Sequence, residues 1–267
     1  MPYSRIAYAV ADGVATITLN EPPANTYSYE MMREIDDAVL AARMDTAVHV
    51  IVLTGMGDRF FCAGANIGML KDADPAYKYY FCLHANETLN RLEQTPKLVI
   101  AALNGHTVGG GLEVAMAADI RIARQGGGRI GVPEVALGVL PGTGGTQRLA
   151  RLVGKARAIE MMATGTLCTF EEAAALGLVT HVWGEAELGG GSFADAVQAY
   201  ARQFTPPTRA SLAVGHIKRA VQSGLEMGFQ DALALERELQ QRLFESADAA
   251  EGIRANLEKR KPVFTGR

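Results

Sequence analysis

The chain has 267 residues, enough for one large domain or a core with an appendage. Its 48% hydrophobic and 21% charged content is that of a globular protein with a substantial core. A net charge of −3 leaves no electrostatic footprint for nucleic acid or an anionic membrane surface. Three cysteines, Cys62, Cys82 and Cys168, are scattered without a C-x-x-C pair and read as reduced thiols, not as disulfides or metal ligands. No basic segment followed by an apolar one opens the chain, and no apolar run approaches about 18 residues. The expected location is the cytoplasm.

Taken in order, Ile6 to Val10 and Val14 to Leu19 alternate around Ala11-Asp12-Gly13, which predicts a hairpin. Ser28 to Met44 has helical spacing at Met31, Ile35, Val39 and Ala42, with Ser28 as N-cap. Val48 to Thr54 reads as a buried strand. Small residues crowd together in Phe60 to Ile67. Asp72 to Ala76, with Pro75, reads as a mobile loop, and Tyr77 to Gln94 as a helix ended by Thr95-Pro96. Leu98 to Leu103 is a buried strand leading into Asn104-Gly105 and the run Gly109-Gly110-Gly111.

Ile120 to Ala123 is a short strand, and Arg129 to Val132 an extended piece. Pro141 to Thr146 is a glycine-rich loop that opens a helix. Thr169 and Glu172 have capping-box spacing ahead of Ala173 to Leu176. Val179 to Val182 reads as a strand and Phe193 to Phe204 as a helix. After Pro206-Pro207 strand signals nearly vanish, and Leu225 to Leu243 and Ala249 to Lys259 read as helices. This places an α/β core at 1–205 and a helical region at 206–267. Leu212, Ile217, Val221, Leu225, Phe229 and Leu233 lie on apolar faces of that region, the mark of an interface.

The stretch from Ala102 to Ala115 carries the chemistry. Glycines let backbone approach a ligand closely, and N–H groups at a helix start attract negative charge. Glu113 follows about one turn later, and a second carboxylate, Glu134, follows Pro133. On spacing alone Glu113 is either solvent-facing or functional, since Leu112, Val114, Ala115 and Met116 flank it. Taken alone, Glu134 reads more readily as a plain helix-start glutamate after a proline, favoured by the dipole, than as a functional group. Taken together, they suggest two glutamates beside a backbone oxyanion hole.

Other sites are unsupported. There is no P-loop, no G-x-S-x-G elbow and no H-E-x-x-H. Gly142-Thr143-Gly144 fails the dinucleotide fingerprint, because Gln147 stands where its third glycine belongs. The five histidines are dispersed, and only His106 lies near the glycine run.

These residues resemble the crotonase superfamily and, within it, the enoyl-CoA hydratases. The likeness rests on Cys62-Ala63-Gly64-Ala65-Asn66-Ile67, on Asn104-Gly105 through Leu112-Glu113, and on Pro133-Glu134 with Leu137-Gly138. It continues through Leu140-Pro141-Gly142-Thr143-Gly144-Gly145-Thr146-Gln147-Arg148-Leu149, Gly154-Lys155, Ala173 with Leu176-Gly177-Leu178-Val179, and Glu251-Gly252 with Glu258-Lys259-Arg260. The sequence departs from the usual pattern at Asn66, where the family commonly has Asp, and at Ile130-Gly131-Val132.

The resemblance implies an α/β spiral of ββα units with a helical C-terminal trimerisation region, assembling as a homotrimer or a dimer of trimers. It implies an acyl-CoA substrate, with no metal and no cofactor beyond the coenzyme A of the substrate. Nucleic acid and membrane are not expected partners. The oxyanion donors fall on the N–H groups of Ala65 and Gly110, and the acid/base pair on Glu113 and Glu134. The substrate-binding set is Ala63, Asn66, Ile67, Leu70, Gly109, Pro133, Leu140 and Gly142, with Gly142 beside the catalytic water. Lys259 falls where a neighbouring subunit approaches the CoA phosphates. An enoyl-CoA isomerase or a CoA-thioester hydrolase or lyase of the same superfamily remains the alternative. An RNA-binding role is disfavoured by the absence of a Lys/Arg cluster.

Overall fold

The computed structural model describes residues 3–267. Strands β1 (Ile6–Ala11) and β2 (Val14–Leu19) pair antiparallel, with Ala11 opposite Val14. Asp12 and Gly13 between them have φ of 51° and 78°. Two successive positive φ values match the right-handed twist of the flanking strands, which is why Asp-Gly serves there. Helix α1 (Tyr29–Met44) follows, and the Ser28 side chain accepts from the Met31 N–H at its start.

Three successive turns of chain then repeat one plan. A long strand lies in the first sheet, and a short strand in a second sheet follows within a few residues. These pairs are β3 (Val50–Gly55) with β4 (Phe60–Cys62), β5 (Leu98–Leu103) with β6 (His106–Val108), and β7 (Ile120–Arg124) with β8 (Arg129–Gly131). β9 (Cys168–Thr169) closes the second sheet and β10 (His181–Trp183) the first. The strand orders are β1-β2-β3-β5-β7-β10 and β4-β6-β8-β9, each mostly parallel with one antiparallel edge pair. This is the α/β spiral of ββα units that the motifs imply.

All six residues of β5 are buried. Val99, Ala101 and Leu103 face one apolar cluster, while Leu98, Ile100 and Ala102 face the other. A strand covered on both sides reads as a continuous apolar run, as this one does. The corner from β5 to β6 is tight: a Cβ on Gly105 would collide with the Arg59 backbone. Asn104 ties that corner down, donating to the Gly55 and Gly57 carbonyls at 2.9 and 2.7 Å and accepting from the Gly55 N–H at 3.0 Å. The Asn-Gly pair of the family motif is therefore a device of the fold.

Helices α2 (Ile67–Asp72) and α3 (Pro75–Glu93) occupy the region read as a mobile loop. Only Ala73 and Asp74 separate them. The Asp74 side chain accepts from the Tyr77 N–H at 2.8 Å, and Pro75 takes the first helical position, where its missing N–H costs nothing. The remaining core helices are α4 (Gly110–Met116), α5 (Gly145–Val153), α6 (Lys155–Thr164), α7 (Phe170–Ala175), α8 (Glu185–Leu188) and α9 (Phe193–Arg202). The Thr169–Glu172 capping box forms in full at α7. The strand expected from Val179 starts instead at His181, because Leu178 and Val179 bond back to the Ala173 carbonyl.

The C-terminal region is α10 (Ser211–Gly224), α11 (Phe229–Phe244) and α12 (Ala247–Leu257). The helix expected from Leu225 begins at Phe229, since Leu225 caps α10 and Gly228 stands ahead of α11. α10 docks on the core. A Cβ on Gly215 would collide with the Pro96 carbonyl, and buried Lys218 pairs with Asp119 at 2.9 Å and donates to the Lys97 carbonyl. Leu225 and Phe229 are 80% and 74% exposed, and Ile217 and Val221 are exposed beside them; Leu212 and Leu233 are half-buried. Among the described residues, no helix is long and apolar enough to cross a membrane.

Candidate active site

The glycine run places backbone where side chains would not fit. Gly109 has a φ of 60°, and a Cβ on it would sit 2.9 Å from Glu134 Oε1. A Cβ on Gly110 would collide with the Tyr27 hydroxyl, and one on Gly111 with the Cys62 carbonyl. Gly64, with φ of 90°, lies so close that its Cβ would be 2.9 Å from the Gly110 nitrogen. The segment Ala63–Asn66 thus runs against the start of α4. Tyr27 holds that segment, donating its N–H to the Gly64 carbonyl and accepting from the Asn66 N–H, each at 2.9 Å. Among the described residues the N–H groups of Ala65 and Gly110 have no protein acceptor. Two such donors side by side can stabilise an oxyanion.

Glu113 projects from α4 into the loop 141–145 and is buried. Its Oε1 accepts from the N–H groups of Thr143 and Gly145, both at 2.7 Å, and its Oε2 from the Thr143 hydroxyl. Burial raises its proton affinity, and these three donors together with nearby Arg148 oppose that rise. The loop itself is clamped from α3 and α5. Asn86 donates to the Gly142 carbonyl at 3.0 Å and Arg148 to the Thr143 carbonyl at 3.3 Å. Arg148 is held in turn by Glu93 at 2.7 Å and Asn90 at 2.8 Å.

Glu134 opens a single 3₁₀ turn, Glu134–Leu137, directly after Pro133. One oxygen lies beside Gly109, while Oε2 is buried with no partner among the described residues. Burial pushes this carboxyl up to about 7, with the charge of Glu113 adding a smaller push. One glutamate is therefore fully held by donors, and the other has an unpartnered oxygen and titrates near neutrality. Such a pair can take one proton and give another.

The structure gathers Ala65, Gly109, Gly110, Glu113, Glu134 and Gly142 into one contiguous site. Gly142 is half-buried beside the Cys82 sulfur. Asn66 caps α2, accepting from the Met69 N–H at 3.1 Å, a task its usual replacement Asp performs equally well. Ala63 donates its N–H to the Ala24 carbonyl, Leu70 and Pro133 are half-buried, and Ile67 and Leu140 are exposed. Lys259 lies exposed beyond α12 with a left-handed φ of 56°, bonded to none of these residues. His106 is outside the site chemistry; its Nδ1 accepts from the Arg129 N–H between β6 and β8. Sequence reasoning missed Tyr27, Asn86 and the roles of Thr143 and Arg148. No local pattern marks Tyr27, whose hydroxyl meets a residue 116 positions away.

The sequence profile of the enoyl-CoA hydratase/isomerase family matches residues 9–267. The chain belongs to the enoyl-CoA hydratase/isomerase family. A probable enoyl-CoA hydratase of Bacillus subtilis is 38% identical, with 98% of each chain covered. A short-chain-enoyl-CoA hydratase of Clostridium acetobutylicum is 37% identical over 93% of this chain and 92% of its own. A crystal structure of an enoyl-CoA hydratase from Geobacillus kaustophilus superposes with a TM-score of 0.94 at 43% identity, covering 100% of this chain and 98% of that one. The fold is thus that of the crotonase superfamily, and membership of the enoyl-CoA hydratase/isomerase family implies an acyl-CoA substrate.

Proposed function

We propose that this enzyme is an enoyl-CoA hydratase, adding water across the 2,3 double bond of a 2-enoyl-CoA thioester. The observation that carries the reading is that buried Glu113 and half-buried Glu134, whose Oε2 is buried without a partner, lie beside two backbone N–H groups without protein acceptors among the described residues. In the reaction, water oxygen bonds to C3 while Glu113 takes its proton. The C2–C3 π electrons move toward the thioester, and negative charge builds on its oxygen. Ala65 and Gly110 donate to that oxygen; a single such donor is worth about 3–4 kcal/mol in known oxyanion holes. Glu134 then gives its proton to C2. Gly142 lies beside the attacking water, and Ala63, Asn66, Ile67, Leu70, Gly109, Pro133 and Leu140 form the walls for the thioester and acyl chain.

A panel of 2-enoyl-CoA thioesters of graded length and branching, followed by loss of the enoyl-thioester absorbance, tests this reading. Turnover of at least one member is expected; no hydration of any would overturn it. The active form of the pair carries one proton. Because Glu134 is pushed up to about 7, that proton is present below this pH and lost above it. Hydration kcat/KM is therefore expected to fall above about pH 7, and dehydration kcat/KM to fall with it. A flat profile to pH 9 would contradict the role of Glu134.

The isomerase reading is favoured by one observation: only Glu134 keeps an unpartnered oxygen. Moving a double bond needs one dominant carboxylate, and the glutamate substitutions separate the two reactions.

We also propose that residues 206–267 form a trimerisation region, with the core at 1–205. The exposed residues Ile217, Val221, Leu225 and Phe229 would be covered there, and Lys259 brought to a neighbour's CoA phosphates. Light scattering at micromolar concentration is expected to give a trimer or a multiple of it. A monomeric mass would sink this assembly.

A further inference from the structure

Tyr27 touches three parts of the site that are far apart in sequence. Its backbone brackets Ala65 by the bonds to Gly64 and Asn66. Its side chain is fully buried, with the ring 5.9 Å from that of Phe81. Its hydroxyl fills the space a Cβ on Gly110 would need and lies 3.0 Å from Thr143 Oγ1. Thr143 has a single hydroxyl hydrogen, and it goes to Glu113 Oε2. Tyr27 must therefore be the donor in its bond to Thr143. The result is a directed chain, Tyr27 O–H to Thr143 O–H to Glu113 Oε2.

From this geometry we propose that Tyr27 and Thr143 are positioning residues that present Glu113 as an oriented, ionised base and register it against the oxyanion donors. The inference rests on the reading of Glu113 as the base in hydration. Each donor in the chain polarises the next, and donors to a carboxylate favour its charged form. Burial pushes the Tyr27 phenol well above its ordinary value, so it keeps its hydrogen and remains a donor throughout the working pH range. The two N–H groups on Oε1 fix one oxygen, while the hydroxyl chain fixes the other. Glu113 cannot rotate without breaking three bonds. A phenylalanine would fill the same apolar space, so packing alone gives no reason for a phenol here.

The test compares Tyr27→Phe, Thr143→Val and Thr143→Ser with the wild-type enzyme. Hydration kcat is expected to fall about tenfold in Tyr27→Phe and about a hundredfold in Thr143→Val, with KM within about twofold, since the lost interactions orient the base and do not hold substrate. Removing donors to a carboxylate raises its proton affinity, so the acid limb of kcat/KM should move to higher pH in both. Thr143→Ser keeps the hydroxyl and should restore both kcat and the acid limb.

Infrared titration of the Glu113 carboxylate, isolated by subtracting the Glu113→Gln spectrum, reads the same chain without any activity. Its ionisation should move to higher pH in Tyr27→Phe and Thr143→Val. If the wild type proves not to hydrate, the functional reading fails while this titration still decides the positioning proposal. Should Thr143→Val misfold, Tyr27→Phe and Thr143→Ser decide it. Folded Tyr27→Phe with unchanged kcat, acid limb and carboxylate titration would overturn the proposal.

Discussion

Glu113→Gln and Glu134→Gln are each expected to lower hydration turnover by about 10²–10⁴, the usual worth of a positioned acid or base. Glutamine keeps the shape of the side chain but has neither a basic carboxylate nor a dissociable proton. At position 113 the amide oxygen still accepts from the Thr143 and Gly145 N–H groups, and the amide nitrogen faces the Thr143 hydroxyl, which can accept. The variant is therefore expected to fold and assemble. At position 134 the side chain is half-buried with one free oxygen, so an amide fits with little disturbance. The double variant should lose less than the product of the two single losses, because in the proposed mechanism both groups handle protons of one addition. Circular dichroism and light scattering check the fold; the enoyl-thioester absorbance gives the rate. Near-normal hydration by folded Glu134→Gln removes the paired mechanism. Isomerisation of a 3-enoyl-CoA surviving in just one of the two variants promotes the isomerase reading.

Gly110→Val should abolish activity by several orders of magnitude, with the oxyanion hole as the cause. The donor at this position is a backbone N–H, so a substitution acts through space. Any Cβ here collides with the Tyr27 hydroxyl, and Tyr27 in turn brackets Ala65 and bonds Thr143. Valine adds two methyl groups to that collision. One change is thus expected to displace both N–H groups of the proposed oxyanion hole and the hydroxyl chain to Glu113. Gly110→Ala should show a smaller loss in the same direction, and it keeps the test decisive if the valine variant is unstable. A folded Gly110→Val enzyme with wild-type turnover would reduce the glycine run to a turn. The contrast with Gly126 is useful: nothing lies within 4 Å of the place its Cβ would take, and asparagine tolerates its left-handed φ of 65°, so Gly126→Asn should leave turnover intact.

Much of this protein was legible from sequence wherever the signal acts over a few residues. Asp12-Gly13 set the first hairpin because only a short, twisted turn joins those strands. Ser28, and Thr169 with Glu172, marked helix starts because a cap bonds an N–H two or three positions on. The uninterrupted apolar run of β5 announced a strand covered on both faces. The spaced motifs around Glu113 and Glu134 carried the family, since several of them in order leave few alternatives. Tertiary structure alone decided the rest. α2 leaves no sequence signal because six residues hold too little periodicity to show, and Pro75, in a stretch whose sequence reads as a loop, sits at a helix start. Asn104 looked like part of an active-site motif, yet its partners lie 47 to 49 positions away, on the β3–β4 corner. Glu134 near neutrality is a consequence of burial, which composition and spacing do not specify. The Tyr27–Thr143–Glu113 chain spans the whole site, and a hydrogen bond between residues 116 apart leaves no periodic trace. Local bonding writes itself into neighbouring residues; proton affinity and long-range bonding arise only when the spiral brings distant turns together.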